Sequence, residues 1–264
     1  MRISLLFLLF GILFDPLSAQ TPYSSDKDRP PTFAEISAYK EVLKFEVKYG
    51  FFKLGWIEIQ AIRDTVYNGQ DRYLLQTQIR SNSRIPFVGK EIDYFSSIFH
   101  EDTEGRLVTD YYWKDNLDEE KYKEIEYVFN RFTSEVIYKE EDDSRDTLDL
   151  VEPATAGQLI FLYGRIYAGS SDSYELPVYV SKELGYVRSN NTTQKKRRRI
   201  PAFDKPVETY FAEGDADLDG PFGFSGKFKA WYLADDLRVP LESHFKVFLG
   251  NVKIRLIEYT RTSL

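Results

Sequence analysis

Hydrophobic and polar residues alternate along most of the chain, which is the period-two pattern of half-buried β-strands. In residues 43–49 the odd positions are Leu, Phe, Val and Tyr, whereas the even positions are Lys, Glu and Lys. Gly50 follows as a turn residue, and the alternation resumes over residues 57–61. These two segments predict a β-hairpin.

Similar stretches continue to the end of the chain and are separated by turn signals. Asn68 and Gly69 tolerate the positive φ of a tight hairpin turn, and Gly250 with Asn251 is expected to close the last hairpin. The remaining predicted strands are residues 73–80, 93–99, 107–113, 121–130, 133–140, 174–181, 185–189, 207–212, 227–233, 241–248 and 252–259.

One segment has a helical period instead. Between Pro153 and Ala168 the apolar residues fall at helical spacing, Pro153 suits the first turn of a helix, and Gly169 suits its end. About a dozen strands with one helix and no regular alternation of the two argue against a parallel α/β sheet. The pattern predicts a mainly β protein, either a large sheet or a barrel.

The first residues resemble a secretory signal. Arg2 is followed by an apolar run over residues 5–14 and by small residues up to Ala19. As a helix this run would rise about 15 Å, half of a bilayer core of roughly 30 Å. Cleavage near Ala19 is expected, with an uncleaved anchor as the alternative. No Cys follows that could carry a lipid anchor.

The predicted organisation is therefore a signal peptide at 1–19, a flexible lead-in at 20–40 and a single β-rich domain at 41–264. The expected location is the periplasm, as a soluble protein. Because the 264 residues include no Cys, the chain fits a bacterial periplasm better than a disulfide-rich extracellular module. The formal net charge of −7 argues against general nucleic-acid binding.

Three blocks of the sequence carry a family resemblance. The first runs from Leu43 to Gly50 and on through Gly55-Trp56, and the second is the helical segment with Tyr163 and Arg165. The third is residues 230–240, an aromatic strand followed by an acidic turn and Arg-Val-Pro. Together they resemble the domain-of-unknown-function 3108 family of exported bacterial proteins.

The resemblance implies a curved antiparallel sheet or an incompletely closed β-barrel with one mid-chain helix, in the cell envelope. It supplies no activity and no catalytic residue. Residues 114–147 lie outside the family pattern.

The two histidines limit the catalytic chemistry that the chain can carry. A Ser-His-Asp arrangement would need His100 or His244 as its base, and neither is accompanied by a Gly-x-Ser-x-Gly elbow. We expect His244 to be an exposed structural residue and the segment after His100 to be a solvated turn. No catalytic residue, cofactor or metal is assigned from the sequence.

Two charged segments remain open. Asp215, Asp217 and Asp219 resemble the start of a calcium loop, but position 226 is Gly where such a loop needs Glu, so a solvated acidic turn is the alternative. A basic run is expected to form an exposed loop or to dock on an anionic envelope surface, each residue contributing about 1 kcal/mol there. The run consists of Lys195, Lys196, Arg197, Arg198 and Arg199.

Aromatic residues make up 16% of the chain and suit both the packing of a sheet and the lining of a cavity. The leading hypothesis is a non-enzymatic, exported, barrel-like scaffold that binds a lipid or other apolar ligand. One alternative is an envelope module that binds a partner protein. Another is a hydrolase using carboxylates, although the acidic segments 118–120 and 140–143 are more simply hairpin tips.

Overall fold

The structure is a computed structural model, and it describes residues 27, 29–85, 91–116, 122–140, 142, 144–218, 225–247 and 250–263. The predicted signal peptide, residues 1–19, lies outside this part. Within it there are two α-helices, α1 (Phe33–Ser37) and α2 (Ile160–Tyr167), and a 3-10 turn at Gly157–Leu159. No helix in the described ranges is long and apolar enough to cross a membrane.

The described residues form sixteen strands. They are β1 (Tyr39–Tyr49), β2 (Phe52–Ile59), β3 (Arg63–Tyr67), β4 (Gln70–Ser81), β5 (Ile92–Glu101), β6 (Leu107–Asn116), β7 (Tyr122–Asn130), β8 (Glu135–Glu140), β9 (Arg145–Asp149), β10 (Thr155–Ala156), β11 (Ser173–Val180), β12 (Glu183–Arg198), β13 (Val207–Asp217), β14 (Gly226–Leu233), β15 (Pro240–Val247) and β16 (Gly250–Ser263).

All of these strands belong to one sheet. Its order is β10-β11-β12-β13-β14-β15-β16-β1-β2-β4-β5-β6-β7-β8-β9, and β3 pairs with β4. Neighbours are antiparallel except β10 and β11, which are parallel. The pairing of β16 with β1 joins two meanders into one wall. Because β9 and β10 do not pair with each other, the ladder stays open, which confirms the predicted incompletely closed barrel.

Side chains bridge the open edges of the sheet. The Tyr179 hydroxyl of β11 donates to the carbonyl of Asp149 at 2.6 Å and accepts from the amide of Val151 at 2.7 Å. The amide of Lys182 donates to the Tyr127 hydroxyl of β7 at 3.1 Å. A small apolar core fills the space behind these bonds, so the sheet curls into a barrel-like shape without a closing ladder.

The alternating sequence pattern sets the inner face of the sheet. Leu43, Phe45 and Val47 of β1 are buried as predicted, and Asn68 and Gly69 form a turn with positive φ at both residues. One register shift between β5 and β6 places Asp110 as an extra residue in β6. Tyr112 and Lys114 therefore face inwards, while their neighbours face out.

The helix is shorter than the sequence pattern predicts. It begins at Ile160 rather than near Pro153, because Thr155 and Ala156 pair with β11 as a strand. Its end is as expected, since Gly169 adopts a φ of +85° just after the helix.

Two further expectations are corrected, and one strand was missed. Residues 33–40, assigned to a flexible lead-in, form α1 and the start of β1, because a capping box between Thr32 and Glu35 starts the helix and Phe33 packs edge-on against Tyr73. Residues 250–251 belong to β16 rather than to a turn. Strand β9 was not predicted, because its sequence is almost wholly polar.

Candidate functional site

A cavity of about 590 Å³ lies between the inner face of the sheet and the α2 segment. This volume falls in the usual range for pockets that hold small ligands. Both meanders contribute to its wall, through inward residues such as Phe45, Leu75 and Phe95 from the first and Phe228 and Ala230 from the second. The helical segment contributes Gln158, Ile160 and Phe161.

The cavity wall is mostly apolar. Some of its few polar groups have hydrogen-bond partners in the protein, and others have none among the described residues. The Gln158 side chain donates to Thr77 Oγ1 at 2.9 Å and accepts from the Ser97 hydroxyl. The hydroxyls of Tyr112 and Tyr232, in contrast, have no hydrogen-bond partner among the described residues, and burial raises the pKa of both far above the usual range. The Tyr232 hydroxyl packs closely against Gly164 of α2, which leaves the Tyr112 hydroxyl as the better candidate for a ligand contact.

The cavity reaches solvent at one end of the barrel. Five polar or charged residues line it there, and we call them the rim. They are Ser81, Glu91, Asp93, Lys114 and Ser181. Because Glu91 and Ser181 are exposed to solvent while also lining the cavity, the opening lies at the rim.

Ion pairs hold the rim on the β5–β7 side. Lys114 Nζ lies 3.3 Å from Asp93 Oδ1 and 2.7 Å from Glu124 Oε2. Burial raises the pKa of Asp93, and the ammonium of Lys114 only partly opposes this effect. The same ammonium lies 5.9 Å from the ring centre of Phe95, at the boundary between the rim and the apolar interior.

A buried charged cluster, which we call the floor, lies at the other end, where α2 packs on the sheet. Its members are Glu41, Arg165, Asp235, Arg238 and Tyr259. Arg165 of α2 contacts Glu41 Oε2 at 2.7 Å and donates from Nε to the carbonyl of Leu237 at 3.0 Å. The Tyr259 hydroxyl donates to Glu41 Oε1 at 2.6 Å, and burial raises the pKa of this phenol.

The remaining floor residues tie chain segments together. Arg238 donates to the carbonyls of Ala168 at 3.2 Å and Lys27 at 2.7 Å, while its guanidinium lies 4.5 Å from the ring centre of Tyr210. Burial lowers the pKa of Arg238 and raises that of Asp235 to about 6. The third sequence block thus contains a structural arginine that holds the N-terminal segment against the end of α2.

The candidate catalytic residues are not brought together. His100 Nδ1 lies 2.8 Å from Asp110 Oδ2, which Arg72 Nε also contacts at 2.6 Å. His244 is half-buried rather than exposed, since it contacts Glu242 and packs edge-on against Trp231 at 4.8 Å. Neither ring bonds to a serine among the described residues.

Of the two acidic segments, the structure describes Glu140 and Asp142. Glu140 contacts Lys182 at 2.8 Å and accepts from the Ser144 hydroxyl at 2.9 Å, as a hairpin end would. Residues 118–120, Glu141 and Asp143 lie outside the described residues.

The predicted cation site is only partly visible. Asp215 and Asp217 belong to β13, and Asp215 lies 3.3 Å from Arg188. Asp219 lies outside the described residues. Within the ranges that the structure describes, no three His, Asp or Glu side chains are placed to hold a metal ion.

The sequence led us to expect a loop for the basic run. In the structure the run instead pairs with β13 as part of a strand. Lys195 to Arg198 form the end of β12 and pair with Val207 to Tyr210, beyond the last residue of β12 that pairs with β11. Their charges lie along a part of the sheet edge where β11 is absent, and lysines and arginines there discourage edge-to-edge association. Arg198 also contacts Glu242 at 3.0 Å.

Comparisons with known proteins show the fold. No family model and no curated protein matches the chain. The chain is similar to the crystal structure of a β-barrel-like protein of the domain of unknown function 1849 from Brucella abortus, with a TM-score of 0.50. The identity is 12%, and the match covers 85% of this chain and 98% of that one. The fold is thus β-barrel-like, and the resemblance to the domain-of-unknown-function 3108 family stays a prediction.

Proposed function

We propose that the protein binds an apolar or lipid ligand inside the barrel. The observation that carries this proposal is the 590 Å³ cavity with a mostly apolar wall and an opening at the rim. Removing apolar surface from water drives such binding, while a small number of polar groups orients the ligand. A packed scaffold without a ligand would instead fill this space with side chains.

Exposed aromatic residues beside the rim support a lipid as the ligand. Phe51 is fully exposed and Phe52 more than half exposed at the turn between β1 and β2. The side-chain amide of Asn82 donates to the carbonyl of Lys53 at 2.8 Å, which ties this turn to the residue following Ser81. Apolar residues at the opening suit a ligand that enters from an apolar phase.

The experiment is to fill the cavity and measure binding of a neutral fluorescent probe, N-phenylnaphthylamine. Ala230→Trp places an indole in the cavity, and we expect the probe affinity to fall at least about tenfold. Val66→Trp is the matched control, because Val66 is exposed on β3. Equal affinity for the probe in both folded variants, or no binding to the wild-type protein, would remove the proposal.

The proposed setting is the bacterial periplasm, as a soluble protein after cleavage near Ala19. The apolar run over residues 5–14 supports it. Expression with and without residues 1–19, followed by osmotic release of the periplasm, tests this. A full-length protein that stays in the cytoplasm would contradict it.

A further inference from the structure

The charged groups of the cavity wall are concentrated at the opening. Glu91, Asp93 and Lys114 are the charged side chains that line it among the described residues, and all three belong to the rim. Deeper inside, the polar wall residues are neutral, such as Thr77 and Gln158. A ligand with an apolar chain and a polar head would therefore bind with its chain inwards and its head at the rim.

Among the described residues, negative charge predominates where this head would lie. The rim and its neighbour Glu124 provide three carboxylates and one ammonium, a net charge of −2. Lys114 contacts both Asp93 and Glu124, so its positive charge is already engaged. Glu91 makes no ion pair within the described residues and lies beside the opening.

A second feature is the burial of Asp93 in this wall. Asp93 is buried enough that its pKa is raised, even with the Lys114 ammonium beside it. Tyr112 also lines the cavity, two residues before Lys114 on β6, and its hydroxyl has no hydrogen-bond partner among the described residues. A group that is positively charged and donates hydrogen bonds would satisfy both the carboxylates and this hydroxyl.

An anionic head is disfavoured by the same arrangement. It would lie beside Glu91 and Asp93, and the ammonium of Lys114 there already contacts two carboxylates. Two negative charges that are partly buried repel each other more strongly than in bulk water, because the effective dielectric constant is lower there.

We propose that the ligand is a single-chain amphiphile with a primary ammonium head, bound with the ammonium between Glu91 and Asp93. This proposal rests on the proposed function, because it needs the cavity to be a binding site. It adds the class of head group that the rim selects.

The test uses three amphiphiles with the same twelve-carbon chain: dodecylamine, dodecanol and dodecanoate. Each displaces N-phenylnaphthylamine from the protein below its critical micelle concentration. We expect the amine to bind about tenfold more tightly than the alcohol, and dodecanoate to bind most weakly. In Glu91→Gln/Asp93→Asn the amine should lose this advantage, whereas the affinity for the alcohol should stay the same.

Glu258→Gln removes one carboxylate, as Glu91→Gln does, and is the control for that single variant, because Glu258 is exposed and its partner is Lys44 on β1, outside the cavity. If the double variant does not fold, Glu91→Gln alone should lower the preference for the amine, since Glu91 is exposed.

Equal binding of the three compounds, or tightest binding of dodecanoate, would overturn the head-group proposal and leave the proposed function standing. Failure of all three compounds and of the probe to bind would instead contradict the proposed function.

Discussion

The two ends of the barrel both hold charged side chains, but they satisfy them differently. At the floor, Arg165 and Glu41 are almost fully buried and their contacts are with the protein itself. At the rim, Asp93 and Lys114 remain partly exposed, and Glu91 has no ion-pair partner in the described part of the chain. The floor therefore acts as a structural closure, whereas the rim keeps charge available for a ligand.

This difference follows from where water can reach. A buried ion is tolerated only when protein groups replace its hydration, and most polar atoms of the floor have a protein partner, except Arg165 Nη2 and Asp235 Oδ2. At the rim, solvent can hydrate a carboxylate that has no partner. The contrast predicts large stability effects at the floor and small ones at the rim.

The largest effect is expected for Arg165→Met. This change leaves Glu41 buried with only the Tyr259 hydroxyl, and the free energy of unfolding should fall by about 3–5 kcal/mol. Urea denaturation at pH 7 measures it. Arg188→Met removes an arginine from two partners near the surface, Glu175 and Asp215, and should lower the free energy of unfolding much less. Similar costs for the two variants would contradict the structural role of the floor.

Gly164→Ala tests how closely α2 packs on the cavity wall. A Cβ at this position would lie within 3 Å of the Tyr232 ring. We expect a loss of about 2 kcal/mol in the free energy of unfolding, although Ala favours a helix over Gly. Gly157→Ala is the control, since a Cβ added there would have no atom within 4 Å. Adding Tyr232→Phe should restore part of the loss; no recovery would place the strain elsewhere.

Asp235 should make the floor sensitive to pH. Burial raises its pKa from the ordinary 3.8 to about 6, so the folded protein retains a proton that the unfolded chain releases. This contribution to stability is fully present below about pH 4 and is lost as the pH rises to about 6, at roughly 1 kcal/mol per pH unit. Unfolding of the wild type and Asp235→Asn from pH 4 to 7 measures it. A constant difference between the two proteins would contradict the raised pKa.

The smallest effect is expected at the rim, for Lys114→Met. Asp93 and Lys114 are less deeply buried than Glu41 and Arg165, so the free energy of unfolding should fall by less than it does for Arg165→Met. Thermal and urea unfolding measure this cost against that of Arg165→Met. A loss as large as at the floor would mean that the rim is a structural cluster too.

Much of the fold could be predicted because half-buried strands and tight turns have recognisable local sequence patterns. The alternation in residues 43–49 predicts β1 and its buried face, and the Asn68-Gly69 turn predicts the end of a hairpin. The pattern did not reveal β9, because its polar residues carry no alternation. It also placed the basic run in a loop, since charge alone does not show that Lys195 to Arg198 pair with β13.

For the candidate site, the sequence predicted the type of site, an apolar cavity, but not the residues that form it. Abundant aromatic residues suggested a lined cavity, but not which of them face it. The face of Tyr112 depends on the extra residue Asp110 in β6, and a shift of one residue reverses the two faces of a strand. The rim and the floor combine residues from distant parts of the chain, such as Glu41 with Arg165, so no local pattern could indicate them.

By itself the sequence determined that this protein is mainly β, because period-two patterning and turn residues act over a few neighbouring positions. Only the tertiary structure decided that β16 pairs with β1 and that the two edge strands, β9 and β10, do not pair with each other. It also decided that the inner face encloses a cavity. These features depend on long-range pairing and on how far the sheet curls. They exist only once the whole wall has formed.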